Sequence, residues 1–381
     1  MIYNYIMSSP ISVKLITWSV GKNSESKITD WLAELRQWTI ISSTNDIIFI
    51  TLQEVNKKFG SETFLNALKS KLNGYRIFYQ GEGPAISSQD YYVFGYLCVK
   101  NDGKTSVNLV NMKSTKLVDS TCIYKNLICM YPTIGFGYEY DGRKLIFVAS
   151  TLPMNPNDND YGNLGYSARI DAMKKIDKEV IQDISKALQG LDTIFWLGNM
   201  NFRVQTDGIE QLDDLLSSNL DIIKGFREAN KNGLQKSCKY LEYNGLSNYE
   251  QFVMIRQEGK SFNKEVIPSY CDRIIYKGLF TPLLYYSYPK KGEIANYPKS
   301  IAFSTHEPVV LEGVIPILSQ LSPKVLPQGS TNVLPQGSTN VLPQGSTNVL
   351  GQHRQKGGEN NDEYYRLKYY KYKAKYMSLK N

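Results

Sequence analysis

The chain has 381 residues, 42% of them hydrophobic and 21% charged, which is enough to bury one large core or two ordinary ones and excludes a generally disordered chain. Its formal net charge is +8, but residues 350–381 carry +5 of that, so the preceding body holds only +3 and lacks the basic surface of a nucleic-acid binder. Five scattered cysteines without a C-x-x-C pair fit reduced thiols, and the lack of any run near the roughly 18 apolar residues of a membrane span leads us to expect an intracellular, soluble or peripheral protein.

In chain order, Ser12 to Val20 (SVKLITWSV) predicts a strand and Glu25 to Ile41 a helix. Asp46 to Leu52 (DIIFITL) predicts a buried strand that delivers Gln53 and Glu54 at its end. A carboxylate there is well placed for a metal, although a single Glu is more often a solvated loop residue. Ser61 to Leu72 predicts a helix with apolar Phe64, Leu65, Leu68 and Leu72, and Tyr75 to Val148 is strand-rich throughout. Lys144 to Leu152 (KLIFVASTL) is another apolar strand, followed by an Asn/Asp/Pro/Gly-rich loop, Pro153 to Gly165.

Tyr166 to Leu188 predicts a long helix, with Ile170, Met173, Ile176, Val180, Ile184 and Leu188 at helical spacing. It leads to Ile194 to Arg203 (IFWLGNMNFR), where four apolar residues run into a Gly-Asn-Met-Asn turn, so a buried strand ends where polar side chains can gather at a sheet rim. Ile267 to Tyr276 and Ile301 to Val310 each join a strand to charged or histidine residues. The alternation predicts an α/β sandwich with sheets in the middle and helices outside. Val325 to Asn348 is three identical copies of VLPQGSTN, uncharged and unable to bury a core, and is expected to be a spacer.

Five pieces in this order, TWSVG (Thr17 to Gly21), LQEV (Leu52 to Val55), FWLGNMNFR (Phe195 to Arg203), PSYCDRIIY (Pro268 to Tyr276) and STHEPV (Ser304 to Val309), resemble the endonuclease/exonuclease/phosphatase superfamily. The resemblance is strongest to its inositol polyphosphate 5-phosphatase branch, because PSYCDRI matches the signature P-[SA]-[WY]-C-D-R-I without a gap. It implies a four-layered αββα sandwich of the DNase I-like type over residues 8–318; composition adds a disordered repeat linker at 325–350 and a basic Tyr/Lys-rich tail at 359–381. It further implies hydrolysis of an inositol phosphomonoester by water activated at one Mg²⁺.

By the same resemblance, Glu54 corresponds to the metal-binding Glu, Asn201 to the Asn that holds the phosphate and attacking water, and Arg203 to an Arg near the substrate. Asp272 and His306 correspond to a carboxylate and histidine that pair across the site, and Lys239 to a phosphate-contacting Lys, although a solvated surface Lys is the blander reading. His306 is one of only two histidines in the chain, so a multi-histidine zinc site is excluded.

Four positions depart from the family. Ser19 replaces an Asn, Thr151 a His, Asn199 an Asp and Thr305 an Asp. An amide at 199 cannot take a proton at neutral pH or supply negative charge, and losing a general base costs on the order of 10² to 10⁴ in rate. With two carboxylates gone, a weakened Mg²⁺ site is expected. Asp192 and Asp207 fall off the turn and are poor substitutes.

Three functions therefore stand side by side: a hydrolytically impaired binder of inositol phosphates or phosphoinositide head groups, an active Mg²⁺-dependent phosphatase, and, last, a superfamily nuclease. The tail, YYRLKYYKYKAKY, is similar to the ends of proteins of giant DNA viruses related to mimivirus, which implies host cytoplasm or virion as its setting. Its interleaved basic and aromatic residues suit an anionic membrane surface as well as a solvated helix.

Overall fold

The computed structural model of the chain describes residues 9–20, 40–42, 44–83, 92–101, 107–124, 127–153, 164–202, 211–218, 220–231, 234, 271–288 and 306–316. All lie in the first of the chain's two units, Met1–Ser322. The helix expected at Glu25 to Ile41, the loop at Pro153 to Gly165, the repeats and the tail lie largely or wholly outside the described residues.

The runs rich in β-branched and aromatic residues become strands. One sheet holds β1 (Ile11–Ser19), β2 (Ile47–Val55), β3 (Tyr75–Glu82), β4 (Tyr92–Lys100), β11 (Thr281–Ser287) and β12 (Val309–Ile315), in the order β11-β12-β1-β2-β4-β3. The other holds β5 (Val107–Tyr124), β6 (Leu127–Tyr140), β7 (Arg143–Thr151), β8 (Thr193–Asn199), β9 (Arg227–Glu228) and β10 (Asp272–Gly278), in the order β5-β6-β7-β8-β10-β9. Each sheet has one parallel pair near its centre, β1 with β2 and β7 with β8, and the remaining pairings are antiparallel.

Three apolar clusters separate four layers. Between the sheets, Val13, Leu15 and Phe49 pack with Phe136, Phe147, Phe195 and Leu197, and the Phe49 ring lies 5.7 Å from Phe136 and 5.2 Å from Phe147. The alternate residues of the first sheet, including Ile16, Trp18, Ile48 and Ile50, face Phe59, Phe64, Leu65 and Leu68 of a wide-turned segment, Phe59–Phe64, that runs into helix α1 (Leu65–Lys71). Those of the second sheet, Ile146, Val148, Ile194 and Trp196, face the other helical layer.

That layer is the long helix expected from its apolar spacing. It runs as α2 (Leu164–Ile176), a wide turn (Asp177–Ile181) and α3 (Gln182–Leu188), burying Met173, Ile176, Val180, Ile184 and Leu188. It sits close to β6 because Gly135 and Gly137 leave room, since a Cβ at either would fall 2.4 Å from Val180 or Ile184. The sandwich fold class stands as expected, and two details differ. β11 was not anticipated, and β12 begins at Val309, so His306 to Pro308 form an approach to a strand rather than its middle.

Candidate functional site

Inner-facing positions of the strands are apolar until their last one or two residues before one rim, where they turn polar. Leu15 is followed on that face by Thr17 and Ser19, Phe49 by Thr51 and Gln53, Phe147 by Ala149 and Thr151, and Phe195 by Leu197 and Asn199. β10 enters the sheet at the same level, with Asp272 opposite Asn199. Thr151 is level with Asn199 on the other side. Two-residue periodicity thus collects Ser19, Gln53, Thr151, Asn199 and Asp272 at the open end of the inter-sheet core.

Glu54 joins them through a break in that periodicity. The β2–β4 register shifts between Leu52 and Val55, and Glu54 takes φ +57, a left-handed conformation that a glutamate adopts only when its surroundings hold it there. Its Oε1 then accepts a 3.5 Å hydrogen bond from Asn199 Nδ2, which also donates to Ser19 Oγ at 3.3 Å. Asn201 is the second left-handed non-glycine here, with φ +52. Its backbone N–H donates to Asn199 Oδ1 at 3.2 Å and its Nδ2 to the Leu152 carbonyl at 2.7 Å. Asn201 Oδ1 is buried and accepts no hydrogen bond, so it is an acceptor available to a ligand.

The Asn199 amide has one sensible orientation. Reversing it would set its NH₂ against the Asn201 N–H and its oxygen against the Glu54 carboxylate, so the donor end must face Glu54. Gly198 brings this residue to the rim with φ +150, and a Cβ there would lie 1.8 Å from the Ser150 carbonyl oxygen.

On the facing side, His306 Nδ1 donates to Asp272 Oδ2 at 2.5 Å, and the His306 carbonyl accepts from Trp18 Nε1 at 3.0 Å. Burial would lower the imidazole's pKa, but the Asp272 charge and hydrogen bond, with Cys271 and Glu54 contributing, outweigh it and push it up to about 9. His306 is therefore a cation at neutral pH, held in place by an anion.

The structure thus brings together Glu54, Asn199, Asn201, Asp272, His306, Ser19 and Thr151. Arg203, Lys239, Thr305 and Asp207 lie outside the described residues. Asp192 sits at the opposite end of β8, where its Oδ2 accepts from the Lys144 N–H at 2.7 Å, and cannot stand in for a carboxylate at 199.

Residues not singled out from sequence also support the rim. Gln53 is fully buried, accepting from Thr17 Oγ1 at 3.3 Å and donating to Thr51 Oγ1 at 2.8 Å, which braces the strand end under Glu54. Arg273, next to Asp272, is fully buried and forms a forked pair with Glu228, Nε to Oε1 at 2.7 Å, and a 3.1 Å contact to Asp213. Burial alone would lower the guanidinium's pKa, and Glu228 more than offsets that. An arginine between an aspartate and two isoleucines was the available signal.

A profile of Endonuclease/Exonuclease/phosphatase family 2 matches residues 16–312. The chain belongs to that family. No curated protein matches it in sequence. Among solved structures, it is similar to the inositol polyphosphate 5-phosphatase domain of SPsynaptojanin, in complex with inositol (1,4)-bisphosphate and calcium ion, at 15% identity and TM-score 0.52, over 80% of this chain and 84% of that one. It is also similar to the Cimex nitrophorin F64V mutant, a ferrous NO complex, at 18% identity and TM-score 0.49 over 81% and 100%, and to humanized D. rerio TDP2 at 14% identity and TM-score 0.42 over 79% and 98%. Likeness at these identities establishes the fold and nothing finer.

Members of the family use divalent metals, and the rim can be tested for such an ion. A hard cation takes oxygen donors, usually including carboxylates. Here Glu54 meets the nitrogen end of Asn199, whose oxygen is engaged by backbone, and the described residues contain no group of three His, Cys, Asp or Glu able to hold a metal. The described donors do not fit a tightly held resident ion.

Proposed function

We propose that this chain binds phosphorylated inositols at the rim and has lost most of the hydrolytic activity of its family. One observation carries the reading. Position 199, level with Thr151 and Asp272 and facing Glu54, holds an amide whose NH₂ points toward the carboxylate and whose oxygen is engaged by backbone. Position 199 itself supplies no proton acceptor, and Thr151 supplies none beside it.

What remains suits recognition. The His306 cation attracts a phosphate and can donate to its oxygens. The Ser19 and Thr151 hydroxyls and the Asn201 Oδ1 acceptor can meet the hydroxyls of a polyol ring, and Arg203 and Lys239 are the further phosphate contacts that the family pattern suggests. The inositol (1,4)-bisphosphate in the SPsynaptojanin domain supports a ligand of this class on this fold.

Calorimetric titration with soluble inositol polyphosphates, with and without EDTA, tests the proposal. The native chain should bind at least one of them in either condition, and His306→Ala should weaken binding about tenfold or more, the scale of one charge-assisted contact. Absence of binding to every phosphorylated inositol would sink the reading. Strict dependence on added Mg²⁺ together with phosphate release would favour an active phosphatase instead.

A further inference from the structure

β10 is held unevenly along its two edges. On one edge it pairs with β8 throughout, from Asp272 opposite Asn199 to Gly278 opposite Thr193, and the Met200 N–H donates to the Cys271 carbonyl at 2.8 Å just before it. On the other edge β9 is two residues long and reaches only Ile275 and Tyr276. From Asp272 to Ile274, the end of β10 that stands at the rim, no strand pairs with this outer edge among the described residues.

A side chain from the other sheet takes the place of a strand there. Tyr285 of β11 is buried in the inter-sheet core, and its hydroxyl accepts the Ile274 N–H at 3.1 Å. The same hydroxyl donates to Glu228 Oε1 at 2.7 Å, an oxygen that also accepts from Arg273 Nε at 2.7 Å. Burial and the Glu228 charge raise the phenol's pKa, so the hydroxyl keeps the proton that it donates. With a donor on one side and an acceptor on the other, its position is fixed from both.

A strand paired along one edge can still tilt about that ladder, and a contact on the opposite edge removes the freedom. Tilt matters at this point because Asp272 lies on the same face as Ile274, two residues away, and its Oδ2 meets His306 Nδ1 at 2.5 Å. A hydrogen bond weakens steeply as its angle closes, so the pair depends on how β10 is presented.

We propose that Tyr285 is a positioning residue for the rim, its hydroxyl standing in for a missing strand and holding β10 at the tilt at which Asp272 meets His306. It acts through the Ile274 backbone, not by touching a ligand. The consequence for binding rests on the reading of the rim as a phosphorylated-inositol site, because the His306 cation aimed by Asp272 is the group that meets a phosphate there.

Tyr285→Phe in the full chain removes the hydroxyl and keeps the ring that packs between the sheets. The His306 Nδ1 proton, placed far downfield in the native chain by its short charge-assisted bond, should move upfield or broaden in proton NMR. Affinity for soluble inositol polyphosphates should fall about fivefold, the scale of one hydrogen bond. An unchanged Nδ1 resonance in folded Tyr285→Phe would overturn the proposal, whatever the variant loses in thermal stability, since a merely structural tyrosine lowers the melt without moving that signal. Amide hydrogen exchange of the native chain needs no variant. The Ile274 N–H should be as protected as the β10 amides paired with β8, and exchange at the rate of an open edge amide would equally overturn the proposal. If the native chain binds no phosphorylated inositol, the rim reading falls, and the Nδ1 resonance and Ile274 exchange alone decide the positioning role.

Discussion

Asp272 and Arg273 are consecutive on β10, yet they belong to differently built charge centres. Arg273 is answered from several sides, by the Glu228 fork, by Asp213, and through Tyr285, whose hydroxyl donates to Glu228 Oε1 at 2.7 Å and accepts the Ile274 N–H at 3.1 Å. Lys231 in turn meets Asp213 at 2.5 Å. At the rim, the Asp272–His306 pair persists, while the neighbouring positions 19, 151 and 199 are neutral and two residues sit in left-handed backbone. The buried centre that supports the fold keeps its full complement of charge. The rim sets its one described ion pair beside an amide and two hydroxyls.

Removing one partner from the buried centre is expected to have the largest effect. Glu228→Ala removes the fork that holds Arg273 and should destabilise the chain by about 3 kcal/mol, the low end for breaking a buried pair. Glu54→Gln at the half-buried rim should cost less than about 1 kcal/mol. Urea unfolding of both variants sharpens the comparison, and equal losses would break it.

Gly198→Ala probes the backbone beneath the rim. Its φ of +150 and the 1.8 Å approach to a carbonyl predict a loss well above about 1 kcal/mol. A thermal melt within a degree or two of the native chain would show that the strand end can shift.

The smallest expected effect is a pH dependence. Because the folded pKa of His306, about 9, lies above its ordinary 6.5, its stabilising contribution is fully present below pH 6.5 and fades as pH rises through 9. Histidine NMR should show one ring titrating near 9 and returning toward its ordinary range in Asp272→Asn. A ring already neutral at pH 7.5 in the native chain would remove the cation from the site.

Much of the fold was legible because its central strands are buried on both faces. DIIFITL, KLIFVAST and TIFWLGN are near-continuous apolar runs that leave little alternative. β11 (TPLLYYS) was not, since Pro282 and the exposed Leu283 and Leu284 obscure its alternation at an edge. Nor could the length of the β5–β6 hairpin be read from the sequence, because its strand ends carry no regular alternation. At the rim, motif order placed Glu54, Asn199, Asp272 and His306 in one site. The left-handed turns at Glu54 and Asn201, the orientation of the Asn199 amide and the Arg273 clamp arise from contacts between distant segments, 45 residues apart for Arg273 and Glu228.

The central proposal is that the amide at position 199, together with the replacements at 151 and 305, leaves the rim unable to hydrolyse a bound phosphomonoester. Phosphate release from a soluble inositol polyphosphate, measured with Mg²⁺ for the native chain, Asn199→Asp, and Asn199→Asp combined with Thr305→Asp and Thr151→His, tests it most directly. The account predicts negligible release by the native chain, measurable release by Asn199→Asp, and a more than additive gain in the triple variant, since groups acting on one transition state are not additive. Native turnover of about 1 s⁻¹ or faster, an ordinary enzymatic rate, would contradict it.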